Sequence, residues 1–386
     1  MKIAKLIGRR RREIKPGESC EILLTGRFDS DNWILAHLGP LSKSKECSRI
    51  WMVSTNPVPK LEKIEAIYPP KWLIKIAGKT QARLLTFLYQ SIRKRPHIVG
   101  GFHVMPNGIA TIITGLLAGA RSMYFCVGGP AEILGGGAFS SDSYFKKMET
   151  PDVIVEKRLL KIVGKCDTII TMGNKAALFF KEKGINVNIQ VVSGGINTDR
   201  FGPCKDTQSY DCVMTGRLVE IKRMDIFLQA IKLVADTIPD VKVLIIGDGP
   251  LRSNLENLAL ELGIEKNVHF AGFHNDIENW LIKSKIFVLT SDSEGLSLSM
   301  MEAMTCGLTA VVSDVGDLGD LVENGVNGYL VPRRRPELFA ERLIELLSDE
   351  KKLKAFSNAA YQSASRYTMQ AAIALWDDIL AGYSDK

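Results

Sequence analysis

A chain of 386 residues, 46% hydrophobic and 24% charged, has an ordinary globular composition; this excludes a disordered or fibrous protein, and the length calls for two domains. The net charge of +7 divides unevenly: residues 1–205 carry 32 Lys and Arg against 16 Asp and Glu (+16), and residues 206–386 carry 18 against 27 (−9). Seven scattered cysteines without CxxC or Cys/His spacing give no zinc module and fit a reduced, cytoplasmic setting; the basic N-terminus lacks the apolar core of a signal peptide, and the most apolar stretch, 109–120, is too short to span a bilayer.

In chain order, 20–25 reads as a buried strand running into Gly26 and a polar loop, and 50–54 as a second strand. Trp72, Leu73, Ile76, Leu84, Leu85, Leu88 and Ile92 recur at helical spacing across 69–95, and Pro96 stops that helix. The spacing reads as a core helix with a solvated basic edge. Residues 97–103 are expected as a strand, 109–120 as a helix, 123–127 as a strand, 153–163 as a helix and 168–171 as a strand. In the second half, strands are expected at 211–214, 241–246, 268–271, 286–290 and 309–313. Helices are expected there at 224–236, 251–262, 277–284, 298–305, 336–348 and 353–363.

Strands alternating with helices imply parallel sheets covered on both faces, which bind ligands at the carboxyl ends of their strands. The fold class is therefore α/β, with two Rossmann-like domains facing each other across a cleft. The expected division is 1–205 for the first domain and 206–365 for the second, with a joint at 202–209 and a last helix within 366–386.

The segment Ser291-Asp292-Ser293-Glu294-Gly295-Leu296-Ser297-Leu298-Ser299-Met300-Met301-Glu302 runs from a strand through a loop into a helix. With Ser297 as N-cap, the amides of Leu298 and Ser299 are unpaired donors at a positive helix end, a natural seat for a diphosphate. Glu294 and Glu302 can each accept two hydroxyl hydrogen bonds, one from a sugar and one from a ribose. The alternative is a loop charge and a helix-dipole charge. Upstream, Gly216-Arg217-Leu218 follows a strand, with Lys222 close behind; both cations could neutralise a leaving phosphate, or be solvated loop charges.

Together these segments resemble the retaining GT-B glycosyltransferases of the family 4 type (glycosyl transferases group 1). The matching segments are Gly216-Arg217-Leu218 with Lys222, Gly247-Asp248-Gly249-Pro250, Phe270-Ala271-Gly272, and Glu294-Gly295 through Glu302-Ala303-Met304 to Gly307. Glu323-Asn324-Gly325-Val326-Asn327-Gly328 and Ser193-Gly194-Gly195-Ile196-Asn197 extend the likeness over about 165–335. The resemblance implies that Arg217 and Lys222 bind the donor diphosphate, Glu294 the donor sugar and Glu302 the ribose. It implies that Gly26, Gly216, Gly295 and the amides of Leu298 and Ser299 line the donor site, with Phe273 and His274 near the base. It also implies a returning C-terminal helix near 369–380, retention of anomeric configuration by front-face substitution, and neither metal nor cofactor. The co-substrate would be a UDP- or GDP-sugar, and the acceptor a glycan, a lipid-linked glycan or a small molecule.

The first half departs from that pattern. The loop Gly26-Arg27-Phe28-Asp29 has one glycine where the family has a pair, and Gly128-Gly129 stand where many members have a histidine. His103 could stand in for it, or be structural. Gly135-Gly136-Gly137 reads as a mobile acceptor-side segment or a plain flexible turn. The run 9–12 and the cationic helix 71–95 could dock the protein on an anionic membrane, at the inner face of which it would then sit. Nucleic acid is not an expected partner. The competing readings are a nucleotide-sugar epimerase of the same fold, a non-catalytic polyanion-binding protein, a dehydrogenase and a phosphorylase.

Overall fold

The computed structural model describes residues 10–15, 17–28, 30–138, 150–203 and 208–383. The chain forms two compact units, which divide between Gly195 and Ile196 and again between Thr368 and Met369. The first division lies before the expected joint, of which 204–207 fall outside the described residues; so do Arg9 of the basic run and Asp29 of the loop after the first strand.

The first unit is built on a seven-stranded sheet in the order β3-β2-β1-β4-β5-β6-β7. The strands are β1 (Cys20–Thr25), β2 (Cys47–Val53), β3 (Ile64–Ile67), β4 (Ile98–Phe102), β5 (Arg121–Cys126), β6 (Thr168–Thr171) and β7 (Asn188–Val191), and every pair is parallel. Parallel neighbours need crossovers, supplied here by α1 (Asp31–Lys43), α2 (Lys71–Lys94), α3 (Ile109–Ala118), α4 (Val153–Val163) and α5 (Asn174–Glu182). Local chemistry sets their ends. Ser30 caps α1 by accepting from Trp33 N at 3.4 Å, Asp152 caps α4 by accepting from Ile154 N at 2.7 Å, and the left-handed Gly119 ends α3.

The second unit repeats the plan with six parallel strands in the order β10-β9-β8-β11-β12-β13. These are β8 (Tyr210–Thr215), β9 (Val243–Ile246), β10 (Val268–Gly272), β11 (Ser284–Leu289), β12 (Thr309–Ser313) and β13 (Gly328–Val331). Its helices are α6 (Met224–Thr237), α7 (Arg252–Glu261), the short α8 (Glu278–Leu281), α9 (Leu298–Thr305), α10 (Pro336–Ser348) and α11 (Glu350–Ala364). The last helix, α12 (Met369–Ala381), returns to the first unit. Trp376 packs 6.1 Å from Phe125, Asp377 accepts from Ser44 Oγ at 2.5 Å and Lys45 N at 3.0 Å, and Tyr383 hydrogen-bonds Thr168.

Several elements differ from the sequence reading. The helix expected at 277–284 is one turn, because Ser284 already opens β11. α1 has no counterpart in the sequence reading; its Pro40 sits near the C-terminal end, inside the helix. The first part of α2 is not a core helix. Gly78, at φ 77°, interrupts it, no side chain before Ala82 is buried, and Trp72 and Ile76 are 64% and 78% exposed. Gly135–Gly137 are buried rather than an exposed turn, and a Cβ on Gly136 would lie 2.8 Å from Val155 Cβ. No helix of the described residues is long and apolar enough to cross a membrane.

If α12 completes the first core, Trp376→Ala should cost about 3–5 kcal/mol. Urea unfolding followed by circular dichroism reads this; a midpoint unchanged from wild type would refute it.

Candidate functional site

The carboxyl ends of β8, β9, β11 and β12 carry loops that meet backbone to backbone. Gly216 N donates to Ile246 O at 2.9 Å, and a Cβ on Gly247 (φ 139°) would lie 1.9 Å from Gly216 O. A Cβ on Gly249 would lie 2.5 Å from Leu218 O. Only glycine permits these approaches, which explains the glycines of both turns. On the other side, Gly316 (φ 53°) presses on the Glu294 peptide, where a Cβ would be 1.9 Å from Glu294 O, and Asp317 N donates to Gly295 O at 3.3 Å.

Between these contacts the predicted residues assemble. Asp292 N donates to Ile221 O at 2.9 Å, and Thr290 Oγ1 donates to Arg223 O at 2.8 Å, which fastens the loop after β11 to the turn at 220–223. Lys222 Nζ then lies 2.6 Å from Glu294 Oε1, and Ser291 Oγ donates to the same oxygen at 2.6 Å. The two residues assigned by resemblance to the leaving phosphate and the donor sugar are thus an ion pair. Arg217, one residue past Gly216, is exposed, and its side chain makes no hydrogen bond or ion pair with another described residue. Ser297 Oγ accepts from Met300 N at 3.4 Å as N-cap of α9, and the amides of Leu298 and Ser299 have no acceptor among the described residues.

Glu302 faces different surroundings. It is 4% exposed, and burial pushes its pKa up to about 8, with Arg200 opposing and the Glu278 charge adding. Arg200 is itself 2.7 Å from Glu278 and stacks on Phe201. Phe273 is 66% exposed, whereas His274 turns onto its own loop, with Nε2 3.1 Å from Ala271 O and its ring 4.6 Å from Trp280. Gly26 belongs to the first unit, where its carbonyl accepts from the buried Arg83.

Sequence reasoning missed the framework around these residues. Arg223, left-handed at φ 48°, bridges Asp225 at 2.6 Å and Asp292 at 3.5 Å, and Arg334 grips Asp292 through Nε at 2.8 Å and a terminal nitrogen at 2.6 Å. Burial works against the Asp292 carboxylate, but Arg334 and then Arg223 outweigh it and hold its pKa below the usual range. The basic triplet at 333–335 was the one signal that could have pointed to this clamp.

Two parallel-sheet α/β units of this kind make the GT-B fold. The structure of Anabaena HepE with UDP-glucose superposes with a TM-score of 0.73 at 16% identity, covering 94% of this chain and all of HepE. Residues 196–363 match the family model for glycosyl transferases group 1. Fold and matched segment together define an enzyme of the glycosyltransferase class. Among named relatives, the chain is 27% identical over 307 residues to the Escherichia coli UDP-Gal:alpha-D-GlcNAc-diphosphoundecaprenol alpha-1,3-galactosyltransferase, covering 75% of this chain and 76% of that one. It is 29% identical over 181 residues to the Streptomyces coelicolor exopolysaccharide phosphotransferase SCO2592, covering 46% of this chain but only 19% of that protein.

The Glu302 carboxyl yields a pH test. Its folded pKa stands above the unfolded value, so the folded state holds the extra proton between about 4.5 and about 8. The stability it contributes is full below that window and is lost as pH rises through it. Glu302→Gln should remove the loss, so that above pH 8 the variant exceeds wild type by on the order of 5 kcal/mol, with the difference shrinking toward pH 4.5. Melting temperatures across that range measure it, and parallel curves would show that Glu302 is not the titrating group.

Proposed function

We propose that the protein transfers a sugar from a nucleoside-diphosphate sugar to a hydroxyl of a glycan or lipid-linked acceptor, with retention and without a metal ion. The observation that carries this is the convergence of the Leu298 and Ser299 amides, Lys222 and Glu294 at one sheet edge, with Arg217 on the adjoining turn. The amides and the helix dipole suit a diphosphate, and two cations supply the charge that stabilises it as it leaves. Lys222 has three donors, so it can hold Glu294 and still reach a phosphate oxygen. Glu294, pinned in place, would accept hydroxyl hydrogen bonds from the donor sugar. Glu302 would do the same for the ribose, Phe273 and His274 would lie by the base, and Gly26 would also line the donor site. Departure of the diphosphate leaves a cationic sugar centre, and the acceptor hydroxyl attacks from the same face, passing its proton to a phosphate oxygen. No cofactor enters this scheme. UDP is favoured as carrier by the UDP-glucose bound to HepE and the UDP-galactose named for the E. coli relative. An epimerase on the same fold would use the same diphosphate seat but need no acceptor.

Thermal shift with UDP, GDP and ADP in EDTA tests the donor seat. UDP should raise the melting temperature, Arg217→Ala should abolish that rise, and transfer by the variant should fall about 100-fold or more. A shift that requires a divalent cation would rule out the metal-free scheme.

A second reading concerns location. We propose that the first unit contacts an anionic membrane through Tyr68 and the exposed start of α2. There Trp72 and Ile76 stand one helical turn apart among Lys71, Lys75 and Lys79, in the basic half of the chain. Apolar side chains flanked by lysines fit the headgroup boundary of a negatively charged bilayer. Trp72→Ala with Ile76→Ser should at least halve sedimentation with phosphatidylserine vesicles, and neutral vesicles should bind wild type weakly. Equal pelleting with both vesicle types would overturn it.

A further inference from the structure

The carboxyl edge of the second sheet holds one ion pair that the donor-site reading does not use. Arg334 lies in the turn between β13 and α10, and its guanidinium grips Asp292 through Nε at 2.8 Å and a terminal nitrogen at 2.6 Å. Asp292 belongs to the loop after β11, and the sheet order places β12 between that strand and β13. The arginine side chain therefore reaches past the end of a whole strand to find its partner. From the other side Arg223, in the turn after β8, stands 3.5 Å from the same carboxylate.

Stability does not account for this pair. Arg334 has φ 60°, a left-handed conformation that is costly for a residue with a Cβ and that glycine takes freely. Its side chain is 58% exposed, against 13% for that of Asp292. A pair with one partner so open to water adds little to the fold, because solvent screens the attraction and the long side chain loses freedom. The backbone cost and the gain from the pair are of similar size, so they nearly cancel. Strain retained at an exposed turn calls for another reason, and the reason lies in what the side chain holds.

Asp292 stands two residues before Glu294. Its amide donates to Ile221 O at 2.9 Å, and Glu294 Oε1 lies 2.6 Å from Lys222 Nζ, so the loop meets the turn at 220–223 through both main chain and side chain. A shift of the Asp292 carboxylate would move the peptides that carry Glu294. Arg223 alone is a weak hold on that carboxylate, since it is committed to Asp225 at 2.9 and 2.6 Å. Arg334 supplies the planar two-point grip that fixes the orientation of a carboxylate as well as its place. Arg223 would still accompany the Asp292 charge if Arg334 were removed, so the loss of Arg334 leaves no buried anion stranded.

We propose that Arg334 is a positioning residue for transfer: by gripping Asp292 it keeps Glu294 and Lys222 in the arrangement that meets the donor. That there is a sugar donor to meet rests on the glycosyltransferase reading.

Arg334→Gly removes the side chain and relieves the left-handed backbone together, so fold and function should move apart. The melting temperature should stay at or above that of wild type. UDP affinity should be unchanged, while release of UDP from UDP-glucose or UDP-galactose at saturating donor, with methyl α-D-glucopyranoside as acceptor, should fall about tenfold. Asp292→Asn should slow the same step, and joining it to Arg334→Gly should cost little more, because both break one contact. In protein labelled with 13C at the glutamate side-chain carboxyls, Glu294→Gln assigns the Glu294 signal, which should move in Arg334→Gly. Turnover that stays at the wild-type value overturns the proposal at any melting temperature, and so does a Glu294 signal that stays still. Wild type that neither binds UDP nor releases it from either sugar nucleotide strikes the donor-site reading instead, and the Glu294 signal then decides on Arg334 by itself.

Discussion

The edge of the second unit that carries the candidate site depends on backbone touching backbone. The loops after β8 and β9 meet where Gly247 faces Gly216 O, and the loop after β12 meets the Glu294 peptide at Gly316. Any Cβ at Gly247 or Gly316 would fall at about half an ordinary van der Waals separation. Because main chain rather than flexible side chain sets these distances, Lys222 and Glu294 arrive at 2.6 Å from segments far apart in sequence. The Asp292 clamp by Arg223 and Arg334 fixes the same loop from behind.

Within that frame, two glutamates eight positions apart meet different surroundings. Glu294 is paired with a lysine and a serine hydroxyl, which hold its carboxylate in place. Glu302, on α9, is buried, and its carboxyl accepts no hydrogen bond from a described residue; Arg200 opposes the effect of burial but does not overcome it.

Much of this was legible because the governing interactions are local or glycine-dependent. The turns at Gly216 and Gly247, the Ser297 cap and the α9 start follow from short segments, and the alternation of strand and helix gave the parallel sheets. Elements whose signals are weak or contradictory were hidden. The Gly39-Pro40 pair disguised α1, and the edge strands β3 and β7 are only four residues long, with polar positions among them. The neighbours of Glu302 could not be read at all, since Arg200 and Glu278 come from other segments and matter through burial. Nor could periodicity distinguish the exposed start of α2 from its buried remainder, because both have apolar residues at the same spacing.

The return of α12 to the first unit makes the second unit an insertion in the chain's topology. During synthesis the nascent chain therefore presents the first sheet with its Trp376 site uncovered until residues 369–386 leave the ribosome, while residues 196–368 form a contiguous stretch able to fold earlier. The order of maturation is thus reversed relative to the order of translation: the half made first is the half finished last. An early stop upstream of α12 would release a protein whose matched glycosyltransferase domain is whole and whose N-terminal core is open.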